Sequence, residues 1–166
     1  MFTPDDRHRS MLDTIAQTAE FLKDGNERQA QFWAGIREAA QAVPVVSAYD
    51  VWTKEYVDRV LIPTIRPKKK QCYRTAALAA RVAGIEYVEG QMWSVLLGCE
   101  HAFNYVPDKG VYVDLTAEFA LRENPADGAY IALRKWSSKE VWKYIAANGF
   151  YGSIYGEAWA AEHREK

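Results

Sequence analysis

Three side chains of this 166-residue sequence could together carry out nucleophilic chemistry: Cys72, His101 and Asp114. A thiolate attacks carbonyl carbon, an imidazole moves the protons, and a carboxylate fixes the imidazole's tautomer and supports its charge. Cys72 opens a predicted helix over 72–83, which Gly84 closes in the left-handed conformation. A helix N-terminus lowers a thiol pKa through its dipole and unpaired N–H groups. His101 falls on a predicted strand over 100–106 and Asp114 on another over 111–115, joined through Pro107-Asp108-Lys109-Gly110. With the loop on 106–109, Tyr105 lies opposite Gly110 and His101 opposite Asp114. Directly opposed side chains sit about 4.5–5.5 Å apart at Cβ. A one-residue slip would send the two to opposite faces, so this site depends on register. Phe103 and Tyr112 should flank the pair, with Val106, Val111 and Val113 packed behind.

Each residue also has a plainer reading: Cys72 as a core cysteine, His101 as a structural histidine, Asp114 as an edge or turn carboxylate. The other histidines, His8 and His163, lie near the chain ends on polar segments. Cys72, Cys99, His101 and Asp114 could alternatively hold zinc, but the paired-cysteine spacing typical of such sites is missing. A Cys72–Cys99 disulfide is a further alternative. No P-loop, dinucleotide fingerprint or zinc-deaminase pattern occurs, so the reading calls for no cofactor and no metal. The run Arg66-Pro67-Lys68-Lys69-Lys70 is either a solvated loop or a positive field beside Cys72. Trp93, Tyr105 and Trp136 could line a cleft, though core packing accounts for them as well.

The elements that must position these residues follow from periodicity. Apolar residues at 11, 12, 15, 16, 19 and 22 predict a helix over 5–23, stopped by Asp24-Gly25-Asn26. A second helix is expected over 27–42, with a stripe of Ala30, Trp33, Ile36, Arg37 and Ala40, ended by Pro44. A third over 48–61 would have Asp50 as N-cap and Trp52, Tyr56 and Val60 inward. Pro63 and Pro67 then force an extended loop up to Gln71. Beyond Gly84 the period becomes strand-like: 85–93 with a bulge at Gly90, then 100–106, 111–115 and 128–135. Ser137 and Glu140 form a capping box for a helix over 139–148, and the polar tail 158–166 reads as a short or frayed helix. The expectation is an α+β fold, a helical N-terminal half packed on a three- or four-stranded antiparallel sheet.

The length suits one domain spanning 1–166, with 1–65 as a helical subregion and 66–157 as a catalytic core. Hydrophobic residues make up 49% and aromatics 13%, which excludes a disordered chain. The 21 basic residues balance 22 acidic ones, so nothing points to nucleic acid as an obligatory partner. No apolar run reaches the roughly 18 residues of a membrane span. Met1 to Asp6 is acidic and without an apolar core, which reads as no secretory signal. Two cysteines in such a chain point to thiols in a reducing cytoplasm.

Four short motifs carry a resemblance. Lys70-Gln71-Cys72-Tyr73 with Ala76, Tyr87-Val88-Glu89-Gly90, His101-Ala102-Phe103-Asn104 and Val113-Asp114-Leu115-Thr116 resemble the papain-like and transglutaminase-like cysteine hydrolase superfamily. The resemblance covers 66–116, under a third of the chain. It implies Cys72 as nucleophile, His101 as base and acid, and Asp114 as orienting group, acting on amide bonds of a protein or peptide through a thioester. A small cysteine peptidase is the first reading. A transglutaminase- or deamidase-type acyl transferase, and a non-catalytic binding or inhibitor protein on the same fold, are the alternatives. One departure stands out: papain-like peptidases place an oxyanion-stabilising glutamine several residues before the cysteine, and here the sixth position ahead is Arg66. The nearby glutamine, Gln71, is a helix-capping neighbour or a substitute oxyanion donor.

Overall fold

The computed structural model describes residues 2–23, 27–94 and 97–156. The predicted stop at 24–26, the tail helix over 158–166 and His163 lie outside the described residues. Helix α1 (Asp6–Leu22) begins at Asp5, whose carboxylate accepts from the N–H groups of Arg7 and His8. Its buried stripe is His8, Met11, Ile15 and Ala19, at three- and four-residue steps. His8 is therefore not a polar-surface residue. Its Nε2 accepts from Tyr130 N–H at 3.3 Å, and its Nδ1 lies 2.8 Å from Asp5 Oδ1 and 3.2 Å from the Asp5 backbone nitrogen, closing the capping box.

Helix α2 (Glu27–Ala39) ends three residues earlier than its stripe predicts. The chain instead enters β1 (Gln41–Val43) and β2 (Val45–Val46), two strands too short to show a periodicity. Gln41 and Ala42 of β1 fall within the segment expected to be helical, and β2 lies in the gap expected between two helices. Helix α3 (Ala48–Val51) is capped by Ser47 rather than Asp50 and stops at Trp52. Thr53 caps a new start, α4 (Lys54–Tyr56), which widens into a π-helical turn (Val57–Leu61) and continues as α5 (Ile62–Ile65). The wide turn lies directly ahead of Pro63, whose ring would collide with the carbonyl four residues back in a regular helix. This displacement turns Val57 and Leu61 inward and leaves Val60 45% exposed, against expectation.

Helix α6 (Cys72–Ala83) has the predicted bounds, with Gly84 closing it at φ 66°. Strands β3 (Glu86–Ser94), β4 (Leu97–Val106), β5 (Val111–Val113) and β6 (Tyr130–Trp136) follow, and then α7 (Ser138–Asn148), started by the Ser137–Glu140 capping box. The sheet has six strands rather than four, in the order β1-β6-β3-β4-β5-β2, antiparallel except where β2 joins β5. The predicted bulge is present: the β3–β6 register shifts at Glu89/Gly90. A Cβ on Gly90 would come within 1.9 Å of the Ile131 carbonyl oxygen, so no side chain fits there.

Alternation along the strands divides the sheet into two buried faces. One presents Tyr87, Ala102, Ile131 and Trp136 to Met11, Ile15, Ile36, Ala76, Ala80 and Val141 of the helices. The other carries Val88, Met92, Phe103, Tyr112 and Tyr130. Trp136 belongs to the first core and Trp93 packs against it, while Tyr105 lies against Tyr112, so these aromatics serve packing. The alanines of α6 let it approach β4 closely enough for Asn104 Nδ2 to donate to the Ala76 carbonyl at 2.9 Å. No helix among the described residues is long and apolar enough to cross a membrane.

Glu89 is a buried carboxylate at the centre of the helical face, 4% exposed. It accepts from Tyr87 Oη (2.8 Å), Ser153 Oγ (2.7 Å), Ile154 N–H (2.5 Å) and Tyr155 N–H (3.0 Å), tying the segment after α7 to β3. Burial raises its pKa, and these donors oppose that rise. Glu89→Ala orphans all four donors and is expected to cost about 3–5 kcal/mol, measured by urea unfolding. A loss below about 1 kcal/mol would mean that the segment is held by other contacts.

Candidate active site

The β4–β5 hairpin pairs Val106 with Val111, Tyr105 with Tyr112 and Asn104 with Val113. This ladder is offset by two residues from the expected one. Gly110 sits at φ 68° with its N–H on the Val106 carbonyl (2.9 Å), so it belongs to the turn and pairing starts at Val111. A two-residue offset preserves facing, which is why the site survives the error. His101 and Asp114 become diagonal neighbours on one face, and the imidazole spans the extra distance. His101 Nε2 lies 2.7 Å from Asp114 Oδ2.

Asp114 is not a strand residue as expected. It follows β5 and begins the helical turn that continues as a π-helical segment (Thr116–Leu121). Its Oδ1 accepts from Thr116 N–H (2.9 Å) and Ala117 N–H (3.1 Å), the pattern of a helix N-cap. With one oxygen fixed there, Oδ2 faces His101 and also accepts from Tyr130 Oη at 3.1 Å. Burial and the Asp114 charge raise the Tyr130 pKa, so the phenol stays protonated and donates. Phe103 stacks beside the imidazole, with ring centroids 6.3 Å apart at 18°.

Strand β5 ends early, and that opening admits Cys72. His101 lies three residues beyond Asn104, the last β4 residue paired with β5. There Cys72, half-buried at the first position of α6, accepts hydrogen bonds from His101 and from the N–H groups of Ala102 and Tyr73. Because Asp114 occupies Nε2, Nδ1 is the nitrogen left for the sulfur. Asn104, facing α6 from the same strand, sets the helix against β4 and so positions the sulfur beside the ring. Two non-glycine residues in the left-handed region, Arg66 (φ 52°) and Lys70 (φ 62°), bracket the basic loop that delivers Cys72.

The electrostatics favour an ion pair. Burial pushes the Cys72 thiol up, but His101 and the two N–H groups outweigh it and bring the pKa below the ordinary 9.0. Burial pushes His101 down, yet Asp114 and then Cys72 raise it to about 10. Asp114 is opposed by its own burial and held below the usual carboxylate range by His101, Ala117 N–H and Tyr130. These directions all favour a thiolate beside an imidazolium backed by a carboxylate.

Gln71 is exposed at the N-cap of α6, and its side chain makes no capping hydrogen bond there. Both cysteines are thiols; Cys72 is half-buried and Cys99 exposed. Among the described residues no three His, Cys, Asp or Glu side chains are grouped to hold a metal ion. Sequence reasoning missed Tyr130, which only the fold brings to Asp114. It also missed Asp114's capping role, which Asp114-Leu115-Thr116-Ala117 could have signalled. Tyr130→Phe removes one donor from Asp114 and is expected to cost about 1–2 kcal/mol in stability. It should also raise the pH at which the imidazolium titrates in NMR spectra of His101, because the carboxylate loses a donor that competes with the ring. An unchanged titration would show that the phenol does not act on the pair.

No protein-family model, curated protein or solved structure matches the chain. The geometry of the site is therefore what bears on function.

Proposed function

We propose that this protein is a cysteine hydrolase that cleaves amide or peptide bonds by acyl transfer, in the manner of a small cysteine peptidase. One observation carries the reading: the sulfur of a helix-opening cysteine is hydrogen-bonded to an imidazole whose far nitrogen lies 2.7 Å from a buried carboxylate. The Cys72 thiolate attacks the carbonyl carbon and the C=O electron pair moves onto oxygen. The Cys72 N–H, which has no intrahelical partner at the first helical position, and the Gln71 side chain are the candidate donors for that oxyanion. As the oxyanion collapses, the C–N bond breaks and imidazolium Nδ1 protonates the departing amine, leaving a thioester. Neutral His101 then takes a proton from water, the resulting hydroxide attacks the thioester, and the thiolate leaves paired with imidazolium again. Asp114 stays ionised throughout and holds the ring's orientation. A reducing cytoplasm, where Cys72 remains a thiol, suits this chemistry.

The test is turnover of a set of peptidyl aminomethylcoumarins with intact-mass detection of the acyl-enzyme. Release of coumarin with an acyl adduct on Cys72, both lost in Cys72→Ala, is the expected result. Adding hydroxylamine separates the routes: diversion of product to the hydroxamate measures how readily an amine replaces water. Turnover that persists in Cys72→Ala would refute the mechanism.

A further inference from the structure

Beside Cys72, on the helical face of the sheet, lies a cleft of roughly 120 Å³, room for a single long side chain. Its walls are aromatic and aliphatic: Phe32, Trp33, Ile36, Tyr73, Leu133 and Tyr155. It adjoins the sulfur through Tyr73, which follows Cys72 in α6 and interacts electrostatically with both Cys72 and Glu100. Glu100 precedes His101 in β4 and so faces the cleft side of the sheet, while the imidazole packs with Phe103 and Tyr130 on the other.

Among the described residues the charges of the cleft have one sign: Glu89 and Glu100 belong to its lining, and no described lysine, arginine or histidine does. Glu89 is already occupied by its four donors. Tyr73 is hydrogen-bonded to Ser153, within the same network. Glu100 is exposed and makes no ion pair among the described residues. A neutral apolar side chain would fill the walls but leave Glu100 unanswered, and an acidic one would be repelled. A long aliphatic stem ending in a cation satisfies both, with the aromatic rings adding attraction for the charge.

We propose that this cleft is the substrate side-chain subsite and selects lysine or arginine next to the scissile carbonyl. The inference rests on the acyl-transfer reading of Cys72. It is tested with acyloxymethyl ketones carrying lysine, norleucine or glutamate beside the reactive carbon. Alkylation of Cys72 in the full chain is followed by intact mass, each rate divided by the iodoacetamide rate of the same protein. Norleucine matches the lysine stem without its ammonium, so the ratio isolates the charge. The expected result is a lysine rate about tenfold above norleucine, glutamate slowest, and a lysine advantage under about threefold in Glu100→Gln. Trp33→Ala should slow lysine and norleucine probes alike by removing wall contact. Equal lysine and norleucine rates, or a lysine advantage that survives Glu100→Gln, would overturn the subsite. Failure of iodoacetamide to prefer Cys72 over Cys99 would instead overturn the acyl-transfer reading, and the subsite with it.

Discussion

His101→Ala is expected to slow alkylation of Cys72 by iodoacetamide about tenfold at pH 7 and to reduce any amide turnover by about 10²–10⁴. The two numbers differ for a physical reason. At neutral pH a thiol at the ordinary value of 9.0 is roughly one per cent thiolate, so the ion pair increases the reactive fraction by up to about 100-fold. Part of that gain is given back, because a thiolate's nucleophilicity falls along with its pKa. Turnover by the proposed mechanism would lose this advantage and the proton donor for the leaving amine as well. The pH profile is the sharper measurement. In the native protein the alkylation rate should rise at a pH below 9 and stay level until His101 deprotonates near pH 10. In His101→Ala the rise should move up toward 9. Profiles that coincide would mean that the imidazole does not activate the sulfur.

Asp114→Ala is expected to cost about 3–5 kcal/mol of stability, a large fraction of what a domain of this size has. The carboxylate is 1% exposed and accepts from His101, Tyr130 and two main-chain N–H groups, so its removal strands four buried donors at once. The penalty should depend on pH in a definite sense. His101 has its pKa raised on folding, from 6.5 to about 10. Its contribution is complete below pH 6.5 and declines as pH rises toward 10. Asp114 has its pKa lowered on folding, so its contribution is complete above 3.8 and is lost as pH falls through the lowered value. The stability gap between native protein and variant is therefore widest between about pH 4 and 6.5 and narrows toward pH 10. Urea unfolding at pH 5.5 and 9.5 measures it. A gap of equal size at both would show that the native pair is uncharged.

The site was legible at the level of residue type, chain order and strand parity. Cys72 at a helix start and Gly84 at its end follow from local chemistry, and the structure has both. The bulge at Gly90 and the Ser137–Glu140 cap were equally local. The His101–Asp114 pairing was found through the wrong register. Placing Gly110 in the ladder ignored its need for positive φ, and only parity kept the two residues on one face. Strands β1 and β2 were invisible because three residues and two residues carry no period. They form by pairing with β6 and β5, which a one-dimensional pattern does not contain.

Sequence alone determined the chemical inventory and the local conformations of this protein: one helix-opening thiol, one imidazole on a strand, one carboxylate beyond the next turn. These depend on hydrogen bonds, dihedral preferences and apolar spacing among residues close in the chain. Tertiary structure decided that β5 stops short of His101 and leaves the opening that Cys72 fills. It also brought Tyr130 to Asp114 across 16 positions and laid the segment after α7 on Glu89. Those contacts join groups distant in the chain, and their geometry exists only once the sheet and helices have packed.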